Sequence, residues 1–318
     1  MTGYLARRVL FAATLVFLVT SAALLLTRLA PGDFASRLVA EGASPAQVAR
    51  ERARYGLDRP VAAQYVDWLG NALRLDLGTS LLYGRPVGAM VRERAANTAL
   101  LALVALALAT LAGLPAGVYT GSRRGPLAAL VRGVSLVLLS LPSLVTSLVL
   151  VLLAARTGWL PVGGMASGSA GSGAGGWLLD VAWHLPLPAL ALALPIAATL
   201  ERLQSQAVAD AIAQPFTLAA IARGVPRRRV VWRHALRASL SPVASVYGYV
   251  LAALLSGSFI VEVVTAWPGL GRLLYDGLRA RDVYLVAGCA AVGSVFLAIG
   301  SLVSDLALAW ADPRMRGE

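Results

Sequence analysis

Few side chains in this 318-residue chain are suited to chemistry, and their spacing excludes most of it. All 28 basic residues are arginine. Without lysine there is no Walker A loop to reach a nucleotide's phosphates, and no Schiff-base catalysis. The two histidines, His184 and His234, lie far apart and neither sits in an HExxH, which argues against a zincin or a multi-histidine metal site. Cys289 is the lone cysteine, so no intrachain disulfide forms. Ser167, Ser169 and Ser172 fall in a Gly/Ser/Ala-rich run, residues 163–176, which reads as a flexible linker rather than a nucleophile's seat. A serine protease within the membrane would need a histidine in a span, and His234 lies in a loop. The expectation is a chain that performs no catalysis and binds no metal or cofactor.

The elements that must position these residues are apolar. Hydrophobic residues make up 58% of the chain and charged ones 14%, with mean hydropathy +0.72. That composition departs from soluble domains toward a polytopic membrane protein. Six stretches are long enough to span: Val9–Leu29, Asn97–Tyr119, Val131–Ala155, Leu185–Leu203, Pro242–Val264 and Val283–Leu308. Gly113, Pro115 and Gly117, Pro142, and Pro186, Pro188 and Pro195 fall inside or at the ends of spans, where neighbouring helices re-satisfy the backbone. The first stretch has a longer apolar run than a signal peptide and no clear cleavage site, so it reads as a retained anchor.

Net charge is +12, which in a membrane protein reflects arginine on cytoplasmic loops rather than nucleic-acid binding. Arg7 and Arg8, Arg123 and Arg124, the run Arg223–Arg237, and Arg314 and Arg316 all fall on one side of a six-span topology. That places both termini in the cytoplasm. The chain then divides into residues 1–29 (first span), 30–95 (an extracytoplasmic segment) and 96–318 (the remaining spans), with a cytoplasmic loop at 206–241. In 30–95, Ser44 followed by Pro45 reads as an N-cap and first helical residue, with a helix through Tyr55. Val61, Tyr65, Trp68 and Leu69 share a helical face. Trp159, Trp177, Trp183 and Trp267 fall at outer boundaries, as an aromatic belt requires. Glu201 and Arg202 are expected to snorkel at the inner end of span four.

The loop between spans four and five carries most information. A short helix from Phe216 to Arg223 reaches Gly224, and Pro226 starts a basic amphipathic stretch from Arg227 to Leu240. One reading is an anchor whose arginines meet anionic lipid. The other is a helical knob that docks in a groove on a soluble partner.

AAIARGVPRRRVVWRHALRASLSP, in that loop, resembles the EAA loop of importer-type ABC transporter permeases, closest to the peptide/nickel branch. Other segments agree in order. YLARRVL (Tyr4 to Leu10), LAPGD (Leu29 to Asp33), the block from Tyr55 to Val87, RERAANTALLA (Arg92 to Ala102), the WPGLG-containing stretch from Thr265 to Ala287, and DPRMR (Asp312 to Arg316) are all similar to that branch. Asp305 and Arg202 match family positions. The resemblance implies an all-α, six-span type I permease that forms a translocation path with a second related permease. It also implies two ABC ATPase subunits carrying ATP and Mg, and an extracytoplasmic solute-binding protein that docks on the outer loops. By position the coupling helix is Phe216, Thr217, Leu218, Ala219, Ala220, Ile221, Ala222 and Arg223, with Gly224 as the turn. Leu218, Ala219 and Ile221 stand where Arg, Thr and Arg are usual, and Pro215 replaces an acid, so the docking surface is more apolar than typical. Gly248, Ala252, Ser256 and Glu262 in span five are candidates to line the path, packing between helices being the alternative for the small residues. The resemblance favours di- or oligopeptides as substrate, with nickel or a metal chelate as the same-class alternative. A gradient-driven transporter would need internal repeats or intramembrane acid pairs, and neither is visible.

Overall fold

The structure is a computed structural model that describes residues 2–36, 42–167 and 174–311. Among them it is helical, with one isolated bridge between Thr79 and Pro86. The helices are α1 (Thr2–Leu29), α2 (Pro45–Arg54), α3 (Val61–Ala72), α4 (Val87–Ser122), α5 (Pro126–Ser140), α6 (Ser143–Thr157), α7 (Ala174–His184), α8 (Pro186–Ala213), α9 (Pro215–Ala222), α10 (Arg227–Arg229), α11 (Leu236–Gly257), α12 (Phe259–Val264), α13 (Leu270–Ala280) and α14 (Val283–Ala311). A π-helical turn, Val230–Ala235, joins α10 to α11. Five stretches are long and apolar enough to cross a membrane: Arg7–Leu29, Val87–Ser122, Pro186–Ala213, Pro242–Val264 and Val283–Val303. A sixth span counts if α5 and α6 are taken together. The chain is an all-α polytopic membrane protein.

That sixth span is not the continuous helix expected over Val131–Ala155. α5 and α6 meet at a bend of 108°. Leu141 is extended (φ −88°, ψ 121°) and Pro142 starts α6. A residue preceding proline is pushed out of the helical region, so the break sits where the chemistry of Pro142 puts it. The second span also starts earlier than expected, at Val87.

The chain forms two compact units. One comprises residues up to Thr98 with Pro268–Ala298; the other comprises Ala99–Trp267 and the chain from Ile299.

In the first unit, α2 begins with the expected cap. The Ser44 hydroxyl accepts from the Gln47 amide, and the Gln47 side chain accepts from the Ser44 amide, a reciprocal capping box. On α3, Trp68 is buried, but Val61 is exposed and Gln64 takes the buried position instead. Gln64 is satisfied there: its Nε2 donates to the Arg59 carbonyl at 2.7 Å and its Oε1 accepts from Arg28 of α1. Tyr65 shares a 2.7 Å hydrogen bond with Ser21. Leu24, Trp68, Val283 and Ala287 form one core, and Val87, Met90, Val91, Leu270, Leu273, Leu285 and Cys289 another.

Two of the resembling segments meet at Asp282, which is fully buried. Its Oδ2 accepts from the Ser80 hydroxyl at 2.6 Å and the Leu82 amide at 3.0 Å, and its Oδ1 caps α14 through the Leu285 amide at 3.1 Å. A third, Arg92 to Ala102, meets the same stretch at the WPGLG turn. Asn97 Nδ2 donates to the Pro268 carbonyl at 2.8 Å, and the Leu270 amide donates to Thr98 Oγ1 at 2.8 Å. Trp267, expected in an aromatic belt, is 0% exposed. Trp159, Trp177 and Trp183 are exposed as a belt requires.

In the second unit α8 is the central helix, packed by α5, α6 and α11. Gly113, Gly117 and Gly121 form a stripe one helical turn apart on α4. A Cβ on each would lie 2.6, 2.6 and 2.3 Å from the carbonyl oxygens of Ala197, Glu201 and Ser205 on α8. The two backbones therefore touch, as small residues at i, i+4 and i+8 permit. Glu201, expected to snorkel, is buried at 3% exposure and accepts the Thr120 hydroxyl. Hydrogen-bonding it to α4 costs less than leaving a carboxyl unpaired in the packed interior. The run 163–176 is not a free linker throughout. The Gly164 amide donates to Thr265 at 3.0 Å, Ser167 hydrogen-bonds Asp180, and α7 starts at Ala174. Ser169 and Ser172 lie outside the described residues, as does the DPRMR segment, and Asp305's side chain is outside those described.

Candidate functional site

The loop between the spans Pro186–Ala213 and Pro242–Val264 folds as the sequence suggested, with its first helix one residue earlier at each end. Gln214 is extended (φ −70°, ψ 147°), and Pro215 occupies the first helical position of α9, where its missing N–H is no loss. The proline that replaces an acid is thus a helix starter. The C-terminus closes in a Schellman motif. The Val225 amide donates to the Ala220 carbonyl at 3.1 Å and the Gly224 amide to the Ile221 carbonyl at 2.9 Å. Gly224 has φ +80°, a left-handed conformation that glycine adopts without strain.

One face of α9 is held and the rest is open. Thr217 is 0% exposed, and its Oγ1 donates to the Ala211 carbonyl at the end of α8 at 2.8 Å. Ala220, one turn on, is also buried. Phe216, Leu218 and Ile221 are 48, 53 and 45% exposed, and Ala219, Ala222, Arg223 and Gly224 are exposed with them. An eight-residue helix is too short to cross a bilayer. It carries three large apolar side chains at its surface, Leu218 and Ile221 on one side and Phe216 on another. After Pro226, Arg227 to Arg229 face solvent, while Val231 packs with Val118 and Val208, supported by Ile212 and Leu236. The loop is thereby seated on α4 and α8. The arginines can meet lipid or water, and the apolar side chains of α9 are open beside them.

The path candidates are placed differently. Gly248 is buried in α11, and Glu262 is 0% exposed, with Ser258 Oγ donating to its Oε1 at 2.8 Å. Neither meets solvent in the chain. The side chains of Ala252 and Ser256 are outside those described. No group of three or more His, Cys, Asp or Glu able to hold a metal ion occurs among the described residues.

The residues that sequence reasoning missed are Thr217 as the anchor of α9 and the Thr120–Glu201 pair. A polar residue inside an apolar run was the available signal for each. Nothing in the pattern around Val230–Ala235 announces a π turn.

Residues 113–317 match the family described as the binding-protein-dependent transport system inner membrane component, and residues 1–80 match its N-terminal counterpart. The chain is 32% identical over 320 residues to the oligopeptide transport system permease protein AppB of Bacillus subtilis (strain 168), covering 99% of each. It is 34% identical over 327 residues to the oligopeptide transport system permease protein OppB of Mycobacterium bovis, again covering 99% of each. With a family match over most of its length and relatives aligned end to end, the chain belongs to the inner-membrane permease components of binding-protein-dependent ABC transport systems.

Proposed function

We propose that this chain is the membrane-spanning, non-catalytic permease subunit of an ATP-driven importer of di- and oligopeptides in a bacterial cytoplasmic membrane. Its termini and arginine-rich loops face the cytoplasm. A second related permease completes the translocation path, two ATPase subunits bind ATP and Mg, and an extracytoplasmic solute-binding protein delivers the peptide to outer elements that include residues 30–95. The peptide assignment is supported by the names of the relatives.

The observation that carries the coupling role is α9: a short helix between two spans, fixed on one face by Thr217 and Ala220 and showing Phe216, Leu218 and Ile221 on the others. In this reading those side chains sit in an apolar cleft of the ATPase subunit. Closure of the ATPase dimer pushes α9, and α8 moves with it. Gly248, Ala252, Ser256 and Glu262 belong to the path side of the proposal, with Glu262 acting from beneath the surface through its bond to Ser258 rather than as an exposed charge.

The test is affinity purification of the tagged chain co-expressed with a partner permease and ATPase. Both are expected to co-purify with wild type. In Gly224→Val a side chain forced to φ +80° costs about 1–2 kcal/mol. ATPase docking should weaken by up to about tenfold while membrane insertion is kept. A chain that purifies alone and transports peptides in proteoliposomes without ATP refutes the reading.

A further inference from the structure

A cavity of about 830 Å³ lies in the second unit, at the arginine-bearing ends of α4, α5 and α8, away from the exposed apolar side chains of α9. Five arginines line it, Arg123, Arg124, Arg132, Arg202 and Arg227, against one carboxylate, Glu201. Glu201 is already engaged by Thr120. Arg132 and Arg227 donate to the carbonyls of Thr120 and Ser122 at 3.4 and 3.2 Å, and Arg123 stacks over Tyr119. Arg124 and Arg202 make no hydrogen bond or ion pair among the described residues. All five are exposed, so water and salt screen much of their mutual repulsion, and an anion in the concavity would relieve the rest. The geometry thus asks for a ligand with negative charge.

The opposite wall says what else that ligand carries. Leu136 and Leu139 line the cavity and are exposed. They sit on one face of α5, the first half of the bent span, and the other face also carries half-exposed or more exposed apolar side chains at Leu130, Val134 and Val137. A free phosphate or nucleotide would leave that leucine wall uncovered. An amphiphile satisfies both ends at once: charge on arginine, hydrocarbon on leucine. Basic pockets between spans hold lipid headgroups on this principle.

We propose that this cavity binds an anionic phospholipid, its phosphate on Arg124 and Arg202 and its acyl chains along Leu136 and Leu139. The inference does not depend on the coupling role of α9.

The test is native mass spectrometry of the full-length protein in a mild neutral detergent, offered phosphatidylglycerol or phosphatidylcholine with identical acyl chains. Wild type should retain phosphatidylglycerol in preference. Arg124→Gln and Arg202→Gln should each weaken retention about fivefold, the effect of one basic residue beside an anionic headgroup. Arg202→Lys, which keeps the charge, should restore most of it. Arg237→Gln, an equal loss of charge outside the cavity, should change nothing. Size-exclusion profiles matching wild type establish that the variants fold. Equal retention of the two lipids overturns the proposal, as does an Arg237→Gln effect as large as the Arg202→Gln effect. Displacement of the lipid by excess inorganic phosphate also overturns it and assigns the cavity to a soluble anion.

Discussion

Gly117→Ala adds one methyl group where α4 and α8 touch. The new Cβ would lie 2.6 Å from the Glu201 carbonyl oxygen and 2.6 Å from Gln204 Cβ, against 3.4–4 Å for an ordinary contact. One of the two neighbours is backbone and cannot rotate away, so the helices must part by the better part of an ångström. Overpacking of this kind costs about 1–3 kcal/mol. The neighbouring Thr120–Glu201 hydrogen bond is stretched at the same time. Alanine's better helix propensity returns about 0.5–1 kcal/mol, leaving a net loss of up to about 2.5 kcal/mol, about 1 kcal/mol at mid-range. Gly133→Ala on α5 is the matched control, because its Cβ meets nothing within 4 Å and only the propensity gain remains. The two substitutions are chemically identical and should move stability in opposite directions. Reversible unfolding in mixed micelles of increasing denaturing-detergent content, followed by tryptophan fluorescence, reads the difference. A Gly117→Ala protein as stable as Gly133→Ala would refute the close packing of α4 on α8.

Three further outcomes are expected. Asp282→Asn exchanges a buried carboxyl that accepts three hydrogen bonds for an amide, and should cost about 1–3 kcal/mol, seen as faster proteolysis within residues 42–86. Thr217→Val keeps the shape of α9's buried face but removes its tie to Ala211, so it should loosen α9 by about 1 kcal/mol and reduce ATPase co-purification with the chain still inserted. Burial alone would raise the Asp33 carboxyl, but hydrogen bonds from Ser36 and Arg52, with the Arg52 charge at 2.8 Å, hold it below its ordinary 3.8. The stabilisation is complete above 3.8 and is lost as pH falls through the folded-state value. In Arg52→Gln the acid loosening of residues 30–36, followed by hydrogen exchange, should therefore begin at higher pH.

Features set by nearby residues were legible in the sequence. The Ser44–Pro45 cap, the burial of Trp68 on α3, five of the six apolar spans, and the helix–Gly224–Pro226–helix order of the loop all follow from short-range pattern, and the structure contains each. Features set by partners distant in the chain were not. Trp267 has the composition of a belt residue and is buried. Glu201 reads as an interfacial charge and is buried because Thr120 faces it from α4. Gly113, Gly117 and Gly121 show their spacing in sequence, but the helix they touch does not. The break at Pro142 was visible as a proline and was read as tolerated, because its consequence depends on whether Leu141 is helical or extended. Of the candidate site, the docking helix could be read locally, whereas the buried state of Gly248 and Glu262 depends on surrounding helices.

The joint between α8 and α9 has almost no slack. Gln214 alone separates the two helices, and Thr217 bridges back across it to Ala211. A displacement applied at Phe216 thus has no loop in which to dissipate before it reaches the α8 backbone. In the proposed coupling role, stroke length at the membrane end would be set by the rigidity of this elbow as much as by the force that drives it. Inserting flexible residues beside Gln214 would act like backlash in a gear train, letting the driving side turn while the driven side stands still.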